Sequence, residues 1–365
     1  MATQSTTKAI GRVDYEGGDH HHQEAAAASS SSSASCSLSA IHEDILRTHI
    51  LTRLDGVALL SAACASTELS SLASQDNLWK DVCRSTWPST DVPRLQEVIS
   101  AFPDGHRSFF SASLPLLADM EPYSEPASAA SEIFAEELIS AVDIYHRGEL
   151  IFSRAVETET GTGWFRCSPF RVDLLDPKDT CPTRIPRPET ESGCRELGEE
   201  LTLSWVLVDP AGRRAVNLSS HRPVSVQKHW LSGDVHARFA VVLAGEKGAA
   251  SESVQCGIVV TCGGGVEEGA MHVREVSLQM ENLDGMYMSG KESLGVLGRA
   301  FGGARKGMKR ERGREEGGRR YEEFLAMKRR RRERKLRAEG AMDTLCMASA
   351  VFVFASLAFL FLWGR

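Results

Sequence analysis

Leu38-Ser39-Ala40-Ile41-His42-Glu43-Asp44-Ile45-Leu46-Arg47-Thr48-His49-Ile50-Leu51-Thr52-Arg53-Leu54 places Ile41, Ile45, Leu46, Ile50 and Leu54 at helical spacing. On a helix those five side chains form one broad apolar face. Asp55-Gly56 breaks the pattern, Val57 to Cys64 restarts it with Leu59, Leu60, Ala62 and Ala63, and Glu68 to Leu72 begins a third segment. Asp76-Asn77-Leu78-Trp79-Lys80-Asp81-Val82-Cys83 closes the unit with an aromatic anchor. A module this small has too little interior to hide Ile41, Ile45, Ile50, Leu54, Leu59, Leu78 and Trp79 together, so its surplus apolar surface reads as an interface. An ordinary small helical core is the competing reading.

The arrangement resembles the F-box, a helical module that docks a substrate receptor onto the Skp adaptor of a cullin-type ubiquitin ligase. The resemblance rests on Ile41, Glu43-Asp44-Ile45-Leu46, Ile50-Leu51, Leu54, Leu59, Ala62 and Leu78-Trp79-Lys80. It implies that Ile41, Ile45, Leu46, Ile50, Leu54, Leu59, Leu78 and Trp79 bind the Skp-family adaptor and, through it, cullin. The family's usual Leu-Pro at the first helix is here Ile41-His42, which removes a residue pre-set for a first helical position. Trp87-Pro88-Ser89 and Phe102-Pro103-Asp104-Gly105-His106-Arg107-Ser108-Phe109-Phe110 are similar to the continuation in a subgroup of plant F-box proteins.

The chain has 365 residues, 42% of them hydrophobic, and a formal net charge of −7, enough for more than one folded unit. That charge is unevenly spread. From Arg305 onward 17 Lys and Arg face 8 Asp and Glu, a net of +9 that leaves −16 for residues 1–304, so the two parts suit different partners. Nine cysteines with no Cys-x-x-Cys pair point away from a zinc knuckle and toward a reducing compartment. Met1 to Glu24 is polar, without the apolar core of a signal peptide. Residues 1–36, with His20-His21-His22, Ala25 to Ala28 and Ser29 to Ser33, read as a disordered arm.

After the F-box at 37–90, Val92 to Ala101 is expected to form one helix, and 91–131 ends in a Pro- and Ser-containing linker. A β-rich unit follows over 132–290. Its expected strands are Leu138 to Tyr145, Glu149 to Arg154, Gly163 to Val172, Leu201 to Val208, Arg214 to Leu218, Val224 to Trp230, His236 to Leu243, Val254 to Cys262 and His272 to Gln279. Pro177 to Gly193 reads as an exposed loop. Leu201, Leu203, Trp205 and Leu207 share one strand face, and Val206 and Val208 make the other apolar too, so this strand is expected to be covered on both sides. Many short strands with turns between them argue for a sandwich or partly open barrel.

Residues 291–341 are rich in Gly and Arg. Leu345 to Trp363 carries no charge, and as a helix it measures about 28 Å, close to the roughly 30 Å hydrocarbon thickness of a bilayer. The segment 344–364 therefore reads as a transmembrane tail. Lys328, Arg329, Arg330, Arg331, Arg332, Arg334 and Lys335 read as membrane-flanking residues that keep the body cytosolic and meet anionic headgroups. Cys346 is a candidate palmitoylation site. The same basic run can also be read as a nuclear import signal, making a nuclear location the alternative, although no stacking aromatics accompany it and nucleic acid is not expected as a partner.

Gly285-Met286-Tyr287-Met288-Ser289-Gly290-Lys291 begins like a phosphate loop, but Glu292 stands where a hydroxyl must hold magnesium. No local signature of a nucleophile, metal site or cofactor site remains. The expected fold class is α+β and multidomain: a small helical F-box, a β-rich sandwich-like domain, a basic helix and a single C-terminal transmembrane helix. The expected function is a non-catalytic, cofactor-free substrate receptor of an SCF-type ubiquitin ligase, tail-anchored, with an unidentified protein target. The alternatives are a membrane-anchored scaffold whose module has left the ligase and a nuclear nucleic-acid-associated protein.

Overall fold

The computed structural model describes residues 41–114, 136–245, 250–264, 269–302 and 310–364, with backbone alone over 310–317. The N-terminal arm, the Pro-containing linker, Cys36 and most of the glycine-rich stretch after Gly302 lie outside these residues. The helical part is built from α1 (Glu43–Ile45), continued by a wide π turn over Leu46–Ile50 and a tight turn over Leu51–Arg53, then α2 (Gly56–Ala65), α3 (Thr67–Ala73) and α4 (Asp76–Thr86). It ends with α5 (Pro93–Ser100) and α6 (Gly105–Ser113). Side-chain caps set two boundaries: Asp55 accepts from the Ala58 amide at 2.7 Å and Ser66 from the Leu69 amide at 3.1 Å, each satisfying an otherwise unpaired first-turn donor.

The remainder runs β1 (Glu137–His146), β2 (Glu149–Glu159), α7 (Gly163–Cys167), β3 (Arg171–Asp173), β4 (Cys181–Pro186), α8 (Glu191–Glu200), β5 (Leu201–Asp209) and β6 (Arg214–Asn217). It continues through β7 (Ser225–Lys228), β8 (Val235–Ala244), β9 (Ser253–Gly263), β10 (Ala270–Asn282), α9 (Gly290–Gly302) and α10 (Arg310–Trp363). One sheet has the order β2-β1-β5-β6; the other has β3-β10-β9-β8-β7, with β4 also on β10. All pairings are antiparallel. Leu203, Trp205 and Leu207 of the first sheet share a core with Phe239, Val241, Ile258, Val260, Leu278 and Met280 of the second. That is a sandwich inside an α+β chain.

Two stretches differ from expectation. Gly163 to Val172, read as a strand, starts with helix α7 because Thr162 Oγ1 caps the Phe165 amide at 3.2 Å; only Arg171–Asp173 is strand. Pro177 to Gly193, read as loop, contains β4 and the start of α8. Pro182 and Pro186 masked the strand, yet β4 has a ladder on one side only, against β10, where prolines are tolerated. The glycines of α9 likewise hid an apolar face, since Leu294, Val296 and Leu297 are buried in the sandwich core.

The expectation that β5 is covered on both sides holds, and the cover is the helical part itself. Val206 and Val208, with Ile139, Ala141 and Ala215, join a core made by Leu46, Leu59, Leu72, Trp79, Trp87, Ile99, Phe109 and Phe110. Strand parity sends odd-numbered residues of β1 and even-numbered residues of β5 to the helices and the others to the sandwich. The layers therefore run helices, first sheet, second sheet. Asp143 sits at the first junction, fully buried, and accepts from Ser89 N at 2.9 Å, Ser89 Oγ at 2.6 Å and Ser153 Oγ at 2.7 Å. Tyr145 Oη donates to Thr86 O at 3.3 Å across the same boundary.

Candidate adaptor-binding surface

His42 is the N-cap of α1, with Nδ1 accepting from the Asp44 amide at 3.3 Å. Its φ of −60° lies where proline would hold it, so a side-chain cap stands where the family places a ring constraint. The wide turn over Leu46–Ile50 then interrupts the single apolar face that regular helical spacing would give. Leu46 and Leu51 turn inward at 2% exposure, whereas Ile41, Ile45 and Ile50 remain 38%, 48% and 39% exposed. Leu54 is half-buried against the core.

Of the eight residues read from sequence as adaptor contacts, Leu46, Leu59, Leu78 and Trp79 thus lie inside the module. Trp79 is fully buried and its Nε1 donates to Ala73 O at 2.6 Å, tying α4 to the end of α3. The interior that a module of this size lacks by itself comes from α5, α6 and the first sheet. The exposed remainder is the short row Ile41, Ile45 and Ile50, separated by whole turns of chain and set among Glu43, Asp44, Arg47 and His49, all outside the core.

The Phe102 to Phe110 stretch builds the aromatic part of the core that Leu46 and Leu51 also enter. Phe110 lies 5.4 Å from Trp79 and 5.2 Å from Trp87, and Phe109 meets Trp87 and Phe102 edge-on. Gly56 opens α2 directly over the Phe110 ring, where an added Cβ would lie 2.0 Å from Cζ. Gly105 has φ +55°, a conformation favouring glycine, and lets the His106 amide and Nδ1 both reach the Asp76 carboxylate, at 2.8 and 2.9 Å. His106 Nε2 faces Gln96 Oε1 at 3.2 Å. Buried Cys83 is pushed up to about 12, first by burial and then by Asp76, and is an inert thiol.

The basic residues read as membrane-flanking divide into two sets. Lys328, Arg331 and Lys335 reach Glu281 and Asp284 of the β-rich part, while Arg329, Arg330, Arg332 and Arg334 are exposed. Arg331 and then Lys335 hold the Asp284 carboxyl below its ordinary range. Glu333 and Arg337, one turn apart on the same helix, pair at 3.8 Å. Cys346 is exposed on α10. Glu281 and Asp284 were missed as partners, although Tyr321, Phe324, Lys328, Arg331 and Lys335 follow a 3-4-3-4 spacing that marks one helix face.

Comparison with known proteins decides the family. A probable F-box protein of Arabidopsis thaliana is 45% identical over 331 residues, 89% of this chain and 94% of its own length. The chain belongs to the plant F-box protein family. Two further Arabidopsis thaliana F-box proteins are each 41% identical, one over 90% of this chain and 96% of its own length, the other over 88% and 90%. The similarity therefore extends far past the F-box module, through the sandwich that carries it. No family model matches the chain, and no solved structure does.

Proposed function

We propose that this F-box protein is a substrate-recognition subunit of an SCF-type ubiquitin ligase, held at a membrane by the apolar half of α10. The observation that carries the ligase reading is the row Ile41, Ile45 and Ile50, left exposed on a module whose other large apolar side chains are buried or half-buried. Three exposed isoleucines on a rigid helical support suit a hydrophobic interface. In this reading they meet the Skp-type adaptor, with half-buried Leu54 at their edge, and Leu46, Leu59, Leu78 and Trp79 hold them in place. The β-rich part captures the target, and the ligase acts by proximity: the receptor holds target lysines near the loaded conjugating enzyme and performs no chemistry itself.

The membrane reading is supported by Leu345 to Trp363, a continuous helical run with no part of its apolar window buried. The basic excess that precedes it supports a cytosolic position for the body of the protein.

The test is retention of full-length protein by a Skp-type adaptor and cullin. Ile45→Asp with Ile50→Asp is expected to abolish retention while leaving the circular dichroism spectrum unchanged; undiminished retention would remove these residues from the interface. Wild-type protein that binds no adaptor would end the ligase reading.

A further inference from the structure

The basic half of α10 does more than precede an apolar tail. Phe324 is fully buried, Lys328 Nζ lies 2.5 Å from Glu281 Oε1, Arg331 Nε 2.6 Å from Asp284 Oδ1 and Lys335 Nζ 3.1 Å from Asp284 Oδ1. Glu281 has the opposite strand parity to Leu278 and Met280, which face the sandwich core, so α10 lies on the outer face of the second sheet. Tyr321 is half-buried there, within the field of Arg238 from β8.

The charge of Glu281 on β10 also acts on Tyr321. Alpha10 therefore packs against β8 and reaches the end of β10 and the turn after it through Lys328, Arg331 and Lys335.

The docked charges also precede the apolar run by several helical turns. Along a helix Lys335 is about 15 Å and Lys328 about 25 Å before Leu345. Their partners are instead two carboxylates of the β-rich part.

We infer that Tyr321 to Lys335 is a mount, joining the β-rich body rigidly to the membrane-crossing half of the same helix. Granted the anchor proposed above, it holds that body about 15 Å above the hydrocarbon edge. The adaptor-binding module lies on the opposite side of the sandwich, and at about 10 Å per layer this puts it roughly 30 Å to the side of the α10 axis. The ligase would then extend along the membrane, toward targets in or on the same bilayer.

The experiment is amide hydrogen exchange on the full-length protein reconstituted in liposomes, read over Tyr321 to Lys335. The charge reversal Glu281→Lys with Asp284→Lys is expected to speed exchange in this span at least tenfold. Adding Lys328→Glu, Arg331→Glu and Lys335→Glu is expected to restore protection. Unchanged exchange in the reversed variant, or loss that the swap does not recover, would overturn the mount. Alkaline carbonate treatment of wild-type protein checks the anchor separately: release would overturn the height and sideways geometry with the anchor, while the exchange result still decides whether α10 docks on the sheet.

Discussion

Replacing Asp143 tests whether the helical module and the sandwich are one mechanical unit. In Asp143→Ala the Ser89 amide, Ser89 Oγ and Ser153 Oγ lose their acceptor. Each bond to an ionised group contributes about 1.5–3 kcal/mol, which gives a gross loss of about 5–9 kcal/mol. Two corrections reduce it. The serine hydroxyls can rotate to other acceptors, and the variant no longer buries a carboxylate, whose cost is visible in a pKa raised first by burial and only partly pulled back by the serine hydrogen bonds. The Ser89 N–H cannot rotate away, and an unsatisfied buried donor costs about 1–3 kcal/mol. A net destabilisation of about 2–4 kcal/mol follows. Asp143→Asn keeps an acceptor for that amide and should lose less than about 1.5 kcal/mol. The pH dependence has a definite sign. The folded carboxyl keeps its proton to higher pH than the unfolded one, so the contribution of Asp143 to stability falls as pH rises from about 3.9 through the raised folded value. Asp143→Asn removes that decline. Urea unfolding of full-length protein in mild detergent between pH 4 and 7 measures both effects. An Asp143→Ala variant within 0.5 kcal/mol of wild type, by an order-of-magnitude threshold for ordinary surface substitutions, would refute the reasoning.

Gly105→Ala places a Cβ 2.4 Å from Asp76 Oδ1 at a positive φ, and is expected to cost about 1–3 kcal/mol through strain and loss of the Asp76–His106 contacts, measured by thermal unfolding. Leu46→Ala should destabilise by about 2–5 kcal/mol because the side chain is core, whereas exposed Ile45→Ala should change stability by less than about 0.5 kcal/mol; parallel denaturant titrations separate the two. Phe354→Arg with Leu357→Arg puts two charges at the centre of the apolar run, at about 2.5–3.5 kcal/mol each, and should move the protein to the soluble fraction; unchanged pelleting would count against the anchor.

The sequence determined the elements whose signal is local. Helical spacing gave α2, α3 and α5, alternation gave most strands, and nineteen uncharged residues gave the apolar part of α10. The paired apolar faces of β5 even required a second cover, without saying what it was. Local composition failed where a cap or an edge position prevailed, as at Thr162 and in β4. Tertiary structure alone decided which apolar residues are interface and which are core. Ile45 and Leu46 are neighbours with the same chemistry, yet the first is 48% exposed and the second 2%, because consecutive residues of a helix point about 100° apart and only the side of Leu46 meets the shared core. It also decided the use of the basic run. A lysine's charge is read from sequence, but its partner is set by a distance, and Glu281 and Asp284 come within reach of Lys328, Arg331 and Lys335 only once β10 and α10 lie side by side.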